Sequence, residues 1–179
     1  WGIPAARLVQ PTERYDHAVL GDALEWAGLQ ITVTLQGCAG SCTQSKTLLI
    51  TLPERRVFED VTARVVDVDG DVLPEVLVVE TDIRRGAMLS VYGAEGQLIA
   101  QTKPLGQTHR WLAPAGVGDF DGDGRLEIAY VDRPHLAREV VFVRLQAGAL
   151  VEVARMPGLT NHRIGDSFIS GGARDCGQG

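Results

Sequence analysis

Two stretches of this chain repeat each other. Val65-Val66-Asp67-Val68-Asp69-Gly70-Asp71-Val72-Leu73-Pro74-Glu75-Val76-Leu77-Val78 aligns with Val117-Gly118-Asp119-Phe120-Asp121-Gly122-Asp123-Gly124-Arg125-Leu126-Glu127-Ile128-Ala129-Tyr130, and Asp67 lies 52 residues before Asp119. A period of this size marks arrays in which each unit buries its faces against its neighbours. Each copy leads into a β-branched or apolar run, at 75–80 and 127–131, and then into a hairpin. The hairpins are 87–92 with 97–101, joined by Gly93-Ala94-Glu95-Gly96, and 139–145 with 150–154, joined by Gln146-Ala147-Gly148-Ala149. Upstream, 30–35 and 47–52 form a further strand pair. A short segment at 21–28 is the best helix candidate, but a glycine bounds each end, so a strand or turn competes there.

Each unit therefore holds about four strands. The chain is expected to be all-β, and four-stranded units of this period predict a β-propeller, or part of one, built from four-stranded blades with repeats of about 50 residues. The complete units are expected at about 59–110 and 111–162, with degenerate or partial repeats at 11–58 and 163–179, the whole of 1–179 forming a single repeat domain. The chain opens at Trp1 and closes in a Gly-rich stretch, and is read as a piece of a longer one.

The repeated loops carry the chemistry. Each reads D-x-D-G-D-x-x-x-E, with carboxylates at positions one, three, five and nine. In a tightly coiled loop these side chains turn toward one centre and repel unless a cation joins them. Calcium takes six to eight oxygen ligands from carboxylates, backbone carbonyls and water. The expected donors are Asp67, Asp69, Asp71 and Glu75 with the Leu73 carbonyl, and Asp119, Asp121, Asp123 and Glu127 with the Arg125 carbonyl, giving two Ca2+ sites. Magnesium prefers strict octahedral geometry and keeps its waters. Zinc is disfavoured because neither loop holds His or Cys. An EF-hand is disfavoured twice over: its bidentate Glu belongs at position twelve, here Val78 or Tyr130, and strands rather than a helix follow both loops. Where the second loop has Gly124 the first has Val72, a position expected to need positive φ.

These loops and their flanking strands resemble the FG-GAP/VCBS repeats, the blades of integrin-α-like propellers, and the chain looks like a bacterial VCBS repeat-containing protein. The resemblance covers about 58–154. Asp119–Ile128 fits the pattern throughout and Asp67–Val76 fits except at Val72. It implies calcium held between the first two strands of a blade, and a periplasmic, cell-surface or secreted setting.

The remaining features narrow the function. With 17 Lys+Arg against 23 Asp+Glu the formal net charge is −6, a poor match to nucleic acid or an anionic membrane. No apolar run approaches the ~20 residues of a spanning helix, so the chain is not expected to cross a membrane. Cys38 and Cys42 sit close enough in sequence to bridge across a loop tip, which would fit an oxidising compartment, and Cys176 is left over. The four histidines form no H-x-x-x-H or H-E-x-x-H pair, and no nucleophile elbow or phosphate loop occurs. His109-Arg110-Trp111 and Asn161-His162-Arg163 recur about one repeat apart, as structural edge residues or as a binding face. The sequence thus predicts a non-enzymatic, calcium-stabilised interaction module for an unknown protein or glycan. The alternative is a propeller-type lyase or hydrolase using His, Arg and acidic residues on one face.

Overall fold

The computed structural model describes residues 2–37 and 42–174. Among them the chain forms twelve strands and no helix. The order is β1 (Gly2–Thr12), β2 (Glu25–Gly37), β3 (Cys42–Thr51), β4 (Arg56–Phe58), β5 (Arg64–Val66), β6 (Glu75–Asp82), β7 (Gly86–Tyr92), β8 (Leu98–Gln101), β9 (Leu112–Gly118), β10 (Glu127–Asp132), β11 (Glu139–Gln146) and β12 (Ala149–Pro157). They make one eight-stranded and one four-stranded sheet, and no ring closes among the described residues. Every pairing is antiparallel. Residues 21–23 form bends, and Glu25 already begins β2, so the helix candidate resolves as bend and strand. The pairing proposed across the Cys38 loop tip lies outside the described residues; Cys42 opens β3 opposite Gly37.

The repeat is visible in the pairing. The four-stranded sheet is a meander, β9–β10–β11–β12, and β5–β6–β7–β8 pair in the same succession within the larger sheet. Val66 faces Glu75 across β5 and β6, and Gly118 faces Glu127 across β9 and β10. Where β9 runs unbroken, its counterpart is split into β4 and β5, which lie end to end along one edge of β6. Asp60 closes the break. Its Oδ2 accepts from Val79 N (2.9 Å), in place of a ladder bond the interrupted strand cannot make, and is held by Arg64 Nη1 (2.7 Å).

Alternation along the strands then sorts the core into layers. All of β6 and β7 is buried. One face, with Leu77, Val79, Leu89 and Val91, packs on Ile128, Tyr130, Val141 and Val143 of the second sheet and on Trp111 just before it. The other, with Val76, Val78 and Tyr92, packs on Ile3, Leu29, Ile31, Val33 and Phe58. The middle meander is therefore covered on both sides, and each fully buried Leu or Val there contributes roughly 1.5–3 kcal/mol. Beyond the second sheet, among the described residues, lies a small cluster of buried Ala129, Val131 and Val140, with Ala115 and Phe142 partly buried. No helix long and apolar enough to cross a membrane occurs among the described residues.

Candidate metal centre

Both acidic loops leave the end of one strand and return at the start of the next. An apolar residue at position two fixes each to the body of its sheet. Val68 is fully buried in the inter-sheet core, and Phe120 packs edge-on against Phe142 at 5.2 Å.

Inside the loops the same hydrogen bonds recur. The first carboxylate caps the coil: Asp67 Oδ1 accepts from Gly70 N (2.7 Å) and Oδ2 from Val72 N (2.9 Å). In the second loop Asp119 Oδ1 accepts from Gly122 N (2.7 Å) and Oδ2 from Gly124 N (2.8 Å). Asp69 and Asp121 each accept from the N–H two residues on (3.2 Å). Asp71 takes Leu73 N at 2.7 Å and Asp123 takes Arg125 N at 2.9 Å. The closing glutamates reach back, Glu75 Oε2 to Val68 N (3.1 Å) and Glu127 Oε2 to Phe120 N (2.9 Å). These bonds coil the backbone and turn the carboxylates inward. Carboxylate oxygens of Asp67, Asp69 and Asp71 lie within 4.8 Å of one another, as do those of Asp119, Asp121 and Glu127. Leu73 and Arg125 occupy the seventh positions, where their N–H groups secure Asp71 and Asp123.

The coil demands left-handed backbone at position six. Gly124 has φ 83°, and Val72, with no glycine's freedom, is held at φ 72° while 84% exposed. That is strained for a β-branched residue, and no burial of its side chain offsets the cost. Asp67 Oδ2 and the coil above hold it there.

The electrostatics of the two loops differ. In the first, burial pushes the Glu75 carboxyl up to about 7; the Val68 N–H pulls it down, and the charges of Asp69, Asp71 and Asp67 push it further up. A hard cation among these oxygens would relieve that repulsion, and the donor set is of the type calcium takes. In the second loop an arginine is present. Arg144, from β11, donates Nε to Glu127 Oε1 (2.7 Å), Nη1 to Asp123 Oδ2 (3.0 Å) and Nη2 to Asp121 Oδ2 (3.3 Å), with a further contact from Nη2 to Glu127. Burial pushes Asp123 upward, but the Arg125 N–H and the Arg144 guanidinium hold it below the usual carboxylate range. Arg144 was not among the residues the repeat singles out. Its one signal is that it is a lone charge inside the apolar run Val140–Leu145.

An FG-GAP-like repeat model matches residues 67–130. The match begins at the first carboxylate of the first loop and runs past the last of the second, and it points to a β-propeller-type interaction module. No curated protein and no solved structure matches the chain.

The His and Arg clusters also meet, in a place the motifs do not mark. His17 and His109 stack at 5.0 Å between ring centroids, and Trp111 lies 4.9 Å from His162 and 6.4 Å from His135. The ring nitrogens are largely spent on local partners. His17 Nδ1 bonds the buried Glu59, and His109 Nε2 bonds Asp16 (2.9 Å). His135 Nε2 bonds His162 Nδ1 (3.1 Å), whose Nε2 donates to the Asp166 carbonyl (2.9 Å). Burial lowers the His17 and His135 pKa values and so favours the neutral rings. His17, His109, Trp111, Arg133 and His135 line a cavity of about 30 Å³, room for about one water molecule. The cluster is thus a polar seam that ties four distant segments together.

Proposed function

We propose that this chain is a calcium-stabilised, β-propeller-type interaction module that binds a protein or glycan partner and catalyses no reaction. On this reading 59–110 and 111–162 are successive blades, 11–58 and 163–179 are degenerate or partial ones, and the setting is periplasmic, cell-surface or secreted. Calcium is structural. It would be held by Asp67, Asp69, Asp71 and Glu75 with the Leu73 carbonyl, and the second loop offers Asp119, Asp121, Asp123, Glu127 and the Arg125 carbonyl in the same arrangement. The observation that carries the reading is the recurrence of one coiled carboxylate loop, with most of its internal hydrogen bonds repeated, at matched strand registers beside the FG-GAP-like match. The enzyme alternative draws its support from the convergence of four histidines, but most of their ring nitrogens are taken up by partners within the fold, Glu59, Asp16, one another and the Asp166 carbonyl.

The test is thermal unfolding of the wild type and of Asp71→Asn, in calcium and in chelator. Asparagine keeps the oxygen that accepts from Leu73 N, so the coil is preserved. In calcium the variant melts lower because a ligand charge is lost. In chelator it melts at the wild-type temperature or above, because like-charge repulsion is relieved. An equal loss in both conditions overturns the reading.

A further inference from the structure

We propose that Arg144 is the resident cation of the second acidic loop, so that a divalent ion binds the first loop and enters the second only when the guanidinium is removed. The part concerning the first loop rests on the calcium reading above; the role of Arg144 does not.

The two loops are alike in sequence and in their internal hydrogen bonds, so the difference between them is informative. In the second, the oxygens not used to coil the backbone, Asp121 Oδ2, Asp123 Oδ2 and Glu127 Oε1, all accept from Arg144. In the first, none of Asp67, Asp69, Asp71 or Glu75 forms an ion pair among the described residues.

The register explains why. β10 and β11 pair Ile128 with Val143, which puts Arg144 one step on, opposite Glu127. β6 and β7 pair Val76 with Tyr92, which puts Gly93 one step on, opposite Glu75. So the residue facing the closing glutamate is arginine in one unit and glycine in the other. A Cβ on Gly93 would lie 2.4 Å from Gln97 Nε2, so the Gln97 side chain now occupies the place such a residue would take.

Arginine suits the task. Its planar fork carries five donors and stays charged at any working pH, so it can join several carboxylates at once. The Arg144 side chain is 10% exposed and Glu127 2%, so water screens that contact weakly, whereas Asp121 and Asp123 are about half exposed. A divalent ion entering this loop must either displace the fork or sit beside a like charge. An incidental surface pair would contribute almost nothing and would yield readily to calcium, and the experiment separates the two cases.

Calcium titration calorimetry and thermal unfolding in chelator are run on the wild type, Arg144→Gln, Arg144→Lys and two loop variants, Asp69→Asn/Asp71→Asn and Asp121→Asn/Asp123→Asn. The wild type is expected to bind one ion, lost with the first-loop variant. Arg144→Gln is expected to gain a second ion, at least about tenfold tighter than any residual second site in the wild type, and Arg144→Lys to keep the count at one. In chelator, Arg144→Gln and Asp121→Asn/Asp123→Asn each lower the melting temperature, and the combination lowers it by less than the sum, because the Asp121 and Asp123 contacts are common to both changes while the Glu127 contact is lost only with Arg144. Two ions of similar affinity in the wild type overturn the proposal, as do additive losses in chelator. A wild type that binds no ion removes the calcium reading alone; non-additive losses in chelator then uphold the arginine's role and additive losses overturn it.

Discussion

Val72→Gly is expected to stabilise this protein, although it removes a side chain and introduces the most flexible residue. Val72 sits at φ 72°, and its side chain is 84% exposed. Left-handed backbone costs an L-residue about 1–2 kcal/mol, and β-branching takes the strain toward the ~3 kcal/mol end of what such sites store. Exposure means that truncation forfeits little buried area. Against this, glycine adds roughly 1 kcal/mol of chain entropy to the unfolded state. The balance is a gain of about 1–2 kcal/mol, or roughly 2–8 °C in melting temperature for a chain of this size. The assay is thermal unfolding in chelator, so that ion binding does not enter, with Gly124→Val as the reciprocal change at φ 83°. Gly124→Val should lose about as much as Val72→Gly gains. A neutral or destabilising Val72→Gly beside a harmless Gly124→Val would refute the claim that the coil imposes this backbone on both loops.

Other perturbations probe the body of the fold. Glu25 is buried, and its Oε2 has no hydrogen-bond partner among the described residues; burial first, then the charge of Glu59, pushes its pKa up. A carboxyl raised in the fold binds more protons there than in the unfolded chain, so its contribution to stability is present at low pH and is lost as pH rises above the unfolded value near 4.5. Glu25→Gln should therefore stabilise the protein by on the order of 1–3 kcal/mol at pH 8 and much less at pH 5; denaturant midpoints that shift equally at both pH values would contradict this. Trp111 is 2% exposed and donates Nε1–H to the Glu59 carbonyl at 2.9 Å between the two sheets. Trp111→Phe should cost about 2–3 kcal/mol from lost area and an unpaired carbonyl, and chemical denaturation showing less than about 0.5 kcal/mol would remove Trp111 as a tie between the layers.

Much of this architecture was legible because the buried strands are rich in apolar residues. β6, β7, β10 and β11 lie where the apolar pattern puts them, since a strand covered on both faces has no polar alternation to obscure it. The β2–β3 hairpin was readable for a similar reason. β1 escaped notice: Pro4, Arg7 and Pro11 interrupt it, and only Ile3 is fully buried along its length. β9 is made of small residues, Leu112-Ala113-Pro114-Ala115-Gly116-Val117-Gly118, whose weak strand preference is overridden by pairing with β10. At the site, the carboxylates and the need for positive φ at position six could be read from spacing. Arg144 could not, because its meeting with the loop depends on the register between β10 and β11, which the repeat pattern does not encode. The gathering of His17, His109, His135 and His162 is likewise a product of layer packing between distant segments.

The most direct test of the account is to titrate the wild-type protein with calcium while following its thermal unfolding. At free calcium ~100 times the dissociation constant, one structural site adds ~2.7 kcal/mol, or roughly 5–10 °C for a chain of this length. The account predicts saturable binding of an ion that Asp71→Asn abolishes, with a rise in melting temperature of that size. No heat of binding and identical melting in calcium and chelator would contradict it, and would leave the paired loops as acidic turns.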